Sequence, residues 1–457
     1  MTMKQDTVEP QFDAISGFIL DPDLVIPEDA LHHCSTLLID TLGVAAGATA
    51  LEVGNIARDF ACDFHAAGSD ANAAHMLFDG RRVSLPGAAW ALATQIDNLD
   101  GHDGFNPTKG HIGCAVVPAL FAFAERHPDL TGRQALTALA MSYEVAARAG
   151  LSLHATVSDY HTSGAWNTLG VAALGCRMEG ADAGTLRQAL GIAEYHGPRS
   201  QMMREIDNPT MLHDGSGMGA LVGCSSAIMA MRGFTGAPAI TAEAAEVADI
   251  WTDLGREWTV VQNYIKPYPS CRWGHAAIDA LHLLMQTKGV NAGNVAAIEV
   301  RTFDEAARLF ADMPDTTTQA QYSMHFVMAV MLRYGHIAPT HISGDGLRDP
   351  EVAALIPKIT VVATDHQNAG FPKHRRSDVE VTLTDGTRLE SGDVHARGGP
   401  GAWMEDAEIE QKFHNFCAGA LSPDRARAIW AMRDALLRDD TKFSDLAALT
   451  RAGVDAQ

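Results

Sequence analysis

The stretch Lys266-Pro267-Tyr268-Pro269-Ser270-Cys271-Arg272-Trp273 divides this chain into two kinds of sequence. Each proline lacks an amide hydrogen and clashes with the turn before it, so two prolines one residue apart stop a helix. Before this stretch the chain is rich in Ala, Leu and Met at helical spacing, which predicts helices near 31–46, 88–96, 115–125, 132–147, 165–178 and 216–231. After it the pattern changes. A helix is predicted at 274–287. VAAIEVRT at 295–302 alternates as a strand does, and a helix is expected at 319–334. Strands are expected at 358–363 and 378–383, with Thr384-Asp385-Gly386 turning into 387–390. Beyond Arg397-Gly398-Gly399-Pro400-Gly401, residues 404–452 read as helix again. The expected fold class is mainly α with an α+β part. A discontinuous all-helical domain, 1–267 and 404–457, carries an inserted, smaller α+β unit at 268–403.

Bulk properties narrow the partners. With 457 residues and 47% apolar side chains the chain can build a real core. Its formal net charge of -22 argues against nucleic acid and anionic membranes, since both attract basic faces. An anionic substrate would therefore need a local basic pocket. Seven cysteines without a CxxC pair point to a reducing, cytoplasmic setting. The N-terminus has no basic and apolar signal pattern, and the apolar runs at 112–124 and 218–230 are too short for a membrane span.

Four segments carry groups suited to chemistry. The densest is Asp97-Asn98-Leu99-Asp100-Gly101-His102-Asp103-Gly104, followed by Lys109 and His111, between two helical segments. Carboxylates beside imidazoles orient each other and shift each other's pKa; the bland alternative is a helix end with an Asx-rich turn. Asp100, His102, Asp103 and His111 also offer metal-ligand atoms, but their spacing matches no defined zinc pattern, so no metal is expected. The second segment, Ser158-Asp159-Tyr160-His161-Thr162-Ser163-Gly164, puts His161 near a helix start, where the positive end of the dipole favours neutral imidazole and a base role. A satisfied histidine at a helix start is the competing reading. The third, His213-Asp214-Gly215-Ser216-Gly217-Met218-Gly219, lacks the strand a phosphate loop requires; its free amides suit a carboxylate. The fourth gathers Lys266, Cys271, Arg272 and His275 at the junction, with Arg199 and Arg204 as further cations. Arginine supplies a bidentate carboxylate fork and lysine a point charge.

These segments occur in the order found in the MmgE/PrpD family, which the chain resembles over nearly its whole length. Ile96 to His102 with His111 to Leu120 resembles the family's LDFDD(T/G)H…HPGAxxxPAL block. Tyr160 to Ala173 resembles FHPTxxxGxxGAAAA, and Lys266 to His275 resembles KxYPxCxxxH. The resemblance implies a cofactor-independent, dimeric enzyme with a helical domain and a lid. It puts Asp97, His111, His161 and Lys266 at positions that line the family's active site, and Cys271 where the decarboxylase members carry histidine. Three departures stand out. Thr210 and His213 occupy positions where members often carry lysine, Leu99 replaces an aspartate, and Phe326 replaces a tyrosine, with Tyr322 and His325 nearby. The expected function is a dehydratase-type lyase that removes a proton next to a carboxylate on a small polycarboxylic acid. His161 or His111 would act as base and the other as acid, and His102, Lys109, Arg204, His213, Cys271, Arg272, His275 and Tyr322 would help to bind substrate. Epimerisation or isomerisation, decarboxylation, a non-catalytic polycarboxylate-binding protein and a metal-dependent hydrolase are the alternatives.

Overall fold

A computed structural model describes residues 8–455, of which the larger part is helical: the chain is 58% helix with a small mixed sheet. The centre is a stack of apolar helices. Gly164–Met178 lies between Gly132–Thr156 and Ser216–Met231, and Leu85–Asp97 and Gly113–Ala124 close the layer. Small residues permit this closeness. A Cβ on Gly170 would stand 2.7 Å from the backbone oxygen of Ser142, so the crossing of the first two helices requires glycine there. The long Gly132–Thr156 helix is started by a reciprocal capping box between Thr131 and Gln134. Among the described residues, no single helix is long and apolar enough to cross a membrane.

A short hairpin, β1 (Ala73–His75) with β2 (Arg82–Ser84), edges the helical layer. The second sheet follows the 266–273 break. β3 (Val295–Thr302) runs at its centre, parallel to β4 (Ile359–Ala363) and antiparallel to β5 (Arg376–Leu383). β6 (Arg388–Glu390) and β7 (Val394–His395) pair with β5. Ile298 and Val300 of β3 stand level with Val381 and Val379 of β5, and all four are buried. That apolar face is covered by the helix His275–Lys288, on which Met324–Tyr334 packs. Period-2 burial on one face is the pattern the alternating sequence predicted.

Two expectations change in detail. The single helix expected at 319–334 is two, Thr317–Gln321 and Met324–Tyr334. Ser323 accepts from the Phe326 amide and restarts the helix, leaving Tyr322 in the break. The helix expected over 404–452 is three, Asp406–Cys417, Pro423–Ala435 and Phe443–Arg451. The first two pack on the helix Glu28–Gly47, from the other end of the chain. There the Lys412 ammonium donates at 2.7 Å to both oxygens of Asp40 and to the Gly101 carbonyl. On this packing we propose that the helical layer draws on both ends of the chain, as the division into 1–267 and 404–457 expects.

Candidate active site

The loop from Asp97 to His111 joins the helices Leu85–Asp97 and Gly113–Ala124, and nearly all of it is buried. Buried polar groups must find partners, and here they are found locally. Asp103 accepts from the Gly113 amide at the start of the next helix. The Asp103 carbonyl in turn takes His111 Nδ1 at 2.6 Å and His102 Nδ1 at 3.2 Å. The two imidazoles meet edge to face, 4.5 Å apart. With Nδ1 donating to a carbonyl, His111 carries its lone pair on Nε2, 3.4 Å from Asp214 Oδ2. Ser163 Oγ accepts from the His111 amide and donates to Asp214, tying base and carboxyl together.

Burial sets the protonation states. It holds His111 well below the ordinary imidazole range, helped by the charges of Lys266 and His102, so the ring is neutral. Burial, and then the Asp97 carboxylate, raises Asp214. Glu205 is raised well above the carboxylate range by burial and by its neighbours Asp214, Asp97 and Asp100. It therefore keeps its proton. The Tyr322 hydroxyl donates to Glu205 Oε1, while buried Oε2 makes no hydrogen bond among the described residues. Lys266 is 1% exposed; burial pulls its ammonium down, but Asp100, with Tyr264 and Cys271, pushes it up and the net shift is upward. Lys266 Nζ donates to both the carboxylate and, at 3.2 Å, the carbonyl of Asp100.

These groups face one cavity of about 40 Å³, whose wall includes Asp100, Lys109, His111, Glu205, Asp214, Lys266, Cys271, Arg272 and Tyr322. Larger hollows of about 730 and 800 Å³ lie elsewhere. The first is lined by arginines that already have partners, Arg126 with Glu179 and Arg133 with Glu28. The second brings together mainly threonines, glycines and apolar side chains.

Of the residues the sequence singled out, His111, Lys266, Lys109, Cys271, Arg272 and Tyr322 reach the cavity. Three stand directly behind its wall. Asp97 accepts from the Ser216 amide and faces His102 Nε2 at 3.6 Å, and burial lifts its carboxyl to about 7. His102 is fully buried against His111. His213 lies 4.0 Å from Glu205 and is held by burial at about 3, hence neutral. His275 supports Arg272 from behind, with its Nε2 at Ser270. The structure does not bring His161 into the wall. It is partly exposed, its amide bonded to His154 Nε2 and its Nδ1 to the Asp159 carbonyl. Arg204 is exposed and bonded to Ser200. Cys271 is a neutral thiol, pushed up to about 12 by burial. The sequence reading did not assign Glu205, Asp214 or Arg375 to the site. Asp214 sits in a quoted stretch and Glu205 directly follows Arg204, but burial selects them, and burial is not written in a local pattern. Asp97, His102 and Cys114 each place one possible ligand atom within 4.8 Å of the others, a different set from the Asp100, His102, Asp103 and His111 weighed from spacing.

Residues 22–256 match the MmgE/PrpD N-terminal domain, and residues 268–437 match the MmgE/PrpD C-terminal domain. The chain belongs to the MmgE/PrpD family. Membership supports an enzyme of the lyase or dehydratase type in general. Comparison with curated proteins gave no match. In this MmgE/PrpD chain Lys266 falls in the short joint between the two matched regions, where the helical layer meets the sheet. Both sides of that joint supply the cavity: His111, Glu205 and Asp214 from one, Arg272 and Tyr322 from the other.

Proposed function

We propose that this MmgE/PrpD enzyme is a cofactor-independent dehydratase-type lyase acting on a small polycarboxylic acid. The observation that carries the reading is the fixed tautomer of His111: Nδ1 donates to the Asp103 carbonyl, so a neutral ring offers Nε2 as base at the cavity wall. A substrate carboxylate beside Lys266 would acidify its α-carbon, and the buried ammonium would stabilise the enolate-like charge that develops. His111 Nε2 takes the α-proton. The C–O bond to the β-hydroxyl breaks as Glu205 gives its proton to the departing oxygen, so water leaves and a C=C bond remains. A neutral, hydrogen-bonded carboxylic acid suits this role, and Glu205 offers one at the cavity wall. Reprotonation on the opposite face would instead give epimerisation with the same groups.

The test is proton NMR in D₂O of EDTA-treated protein with citrate, 2-methylcitrate, malate and iminodisuccinate. The proposal expects loss of an α-proton signal, with an unsaturated acid as product. Turnover that requires added metal, or no exchange with any acid, would contradict it.

A further inference from the structure

The inner cavity, at about 40 Å³, has room for little more than one carboxylate or one water molecule. A polycarboxylate must therefore extend beyond it. A second cavity of about 280 Å³ adjoins it and shares the wall residues Tyr264, Arg272 and Arg375. The outer cavity is basic. Arg272, Lys373, His374, Arg375 and His395 line it and, among the described residues, no acidic one does, in a chain with 56 Asp and Glu against 34 Lys and Arg. Its arginines differ in what they already hold. Arg272 donates to the carbonyls of Ala396 and Arg397 and lies 4.3 Å over the Tyr264 ring. The neighbouring Arg376 is paired with Asp393 at 3.1 Å. Arg375 is 7% exposed, and its buried Nε and Nη2 make no hydrogen bond among the described residues. A buried guanidinium with two nitrogens lacking acceptors is costly unless something else meets it. A guanidinium fork matches a carboxylate. The charge of Arg375 also reaches His111, where it adds to burial, Lys266 and His102 in keeping the ring neutral.

We propose that Arg375 anchors a second carboxylate of the substrate, which lies across the Tyr264–Arg272–Arg375 wall with its reacting end inside and its remaining acid group outside. This selects di- and tricarboxylates over monocarboxylates. The assignment rests on the acid–base reading of the inner cavity given above.

Isothermal titration at low salt with tricarballylate, glutarate and butyrate tests it, since none of these has a hydroxyl to eliminate. Wild-type affinity should rise with the number of carboxylates. Arg375→Gln should weaken tricarballylate roughly 10-fold or more while leaving butyrate within about 2-fold, because a charged hydrogen-bonded pair is lost. Arg375→Lys, which keeps the charge and loses the fork, should weaken it about 3-fold and carries the test if the glutamine variant does not fold. Unchanged tricarballylate affinity in a folded Arg375 variant, with wild-type proton exchange intact, overturns this inference alone. So does Arg375-dependent binding of inorganic phosphate that tricarballylate does not displace. Wild-type protein that neither binds the tricarboxylate nor exchanges any proton overturns the acid–base reading and the anchor with it.

Discussion

Replacing Lys266 by Met separates two roles of one charge. Its ammonium is almost fully enclosed and bonded to Asp100. A developing negative charge about 4 Å from it, at an effective dielectric near 20, gains about 4 kcal/mol. Loss of one preorganised donor in other enzymes slows reaction by about 10²–10³. Lys266→Met should therefore slow α-proton exchange by about 10²–10³, read by NMR in D₂O. It also leaves the Asp100 carboxylate buried without its partner, which costs about 3–5 kcal/mol of stability in urea unfolding. The double variant Lys266→Met/Asp100→Asn removes that stranded charge. It should recover most of the stability and none of the rate. If the double variant regains the rate, Lys266 serves only as a counter-ion to Asp100 and the electrostatic role is refuted.

Three further outcomes follow from the structure. Asp97 keeps its proton up to about pH 7 in the fold, whereas an unfolded aspartate loses it near pH 4, so this group adds stability at low pH that is lost as pH rises from about 4 to 7. Urea unfolding across that range should show Asp97→Asn gaining roughly 2–4 kcal/mol relative to wild type; a constant difference would show that Asp97 is ionised in the fold. Lys412→Met should cost about 3–5 kcal/mol, because it leaves Asp40, 1% exposed, without the ammonium it is paired with, and a loss under about 0.5 kcal/mol would refute a buried pair. Gly398 has φ +104 and a Cβ there would stand 1.8 Å from the Ile265 oxygen, while its own carbonyl accepts from the Ile265 amide. Gly398→Ala should lower stability by about 1–3 kcal/mol and displace Lys266; an unaffected melting temperature and exchange rate would contradict that link.

What the sequence revealed and what it hid have physical reasons. Pro267 and Pro269 announce the break, because missing amides act locally. The strand at 295–302 is visible because one face of it is buried, so its side chains alternate. The break at Tyr322-Ser323 is hidden, since the apolar spacing of a helix runs straight through it and only a side-chain cap interrupts it. His111 and His161 were equivalent in sequence. The difference between them is a backbone carbonyl, that of Asp103, which fixes one ring at the cavity, while His161 is held outside by its own loop. Arg375 and Arg376 are adjacent and identical, yet Asp393 is paired with only the second. Glu205 sits beside the more conspicuous Arg204, which turns out to face solvent.

The proposed mechanism gives the proton to His111 and not to His161. The direct measurement compares α-proton exchange in D₂O for wild type, His111→Asn and His161→Ala with the acid that wild type turns over fastest. Loss of a positioned base is worth about 10²–10⁴ in rate. That fall is expected for His111→Asn, with a rate within a few-fold of wild type for His161→Ala. Exchange that survives in His111→Asn and disappears in His161→Ala would contradict it.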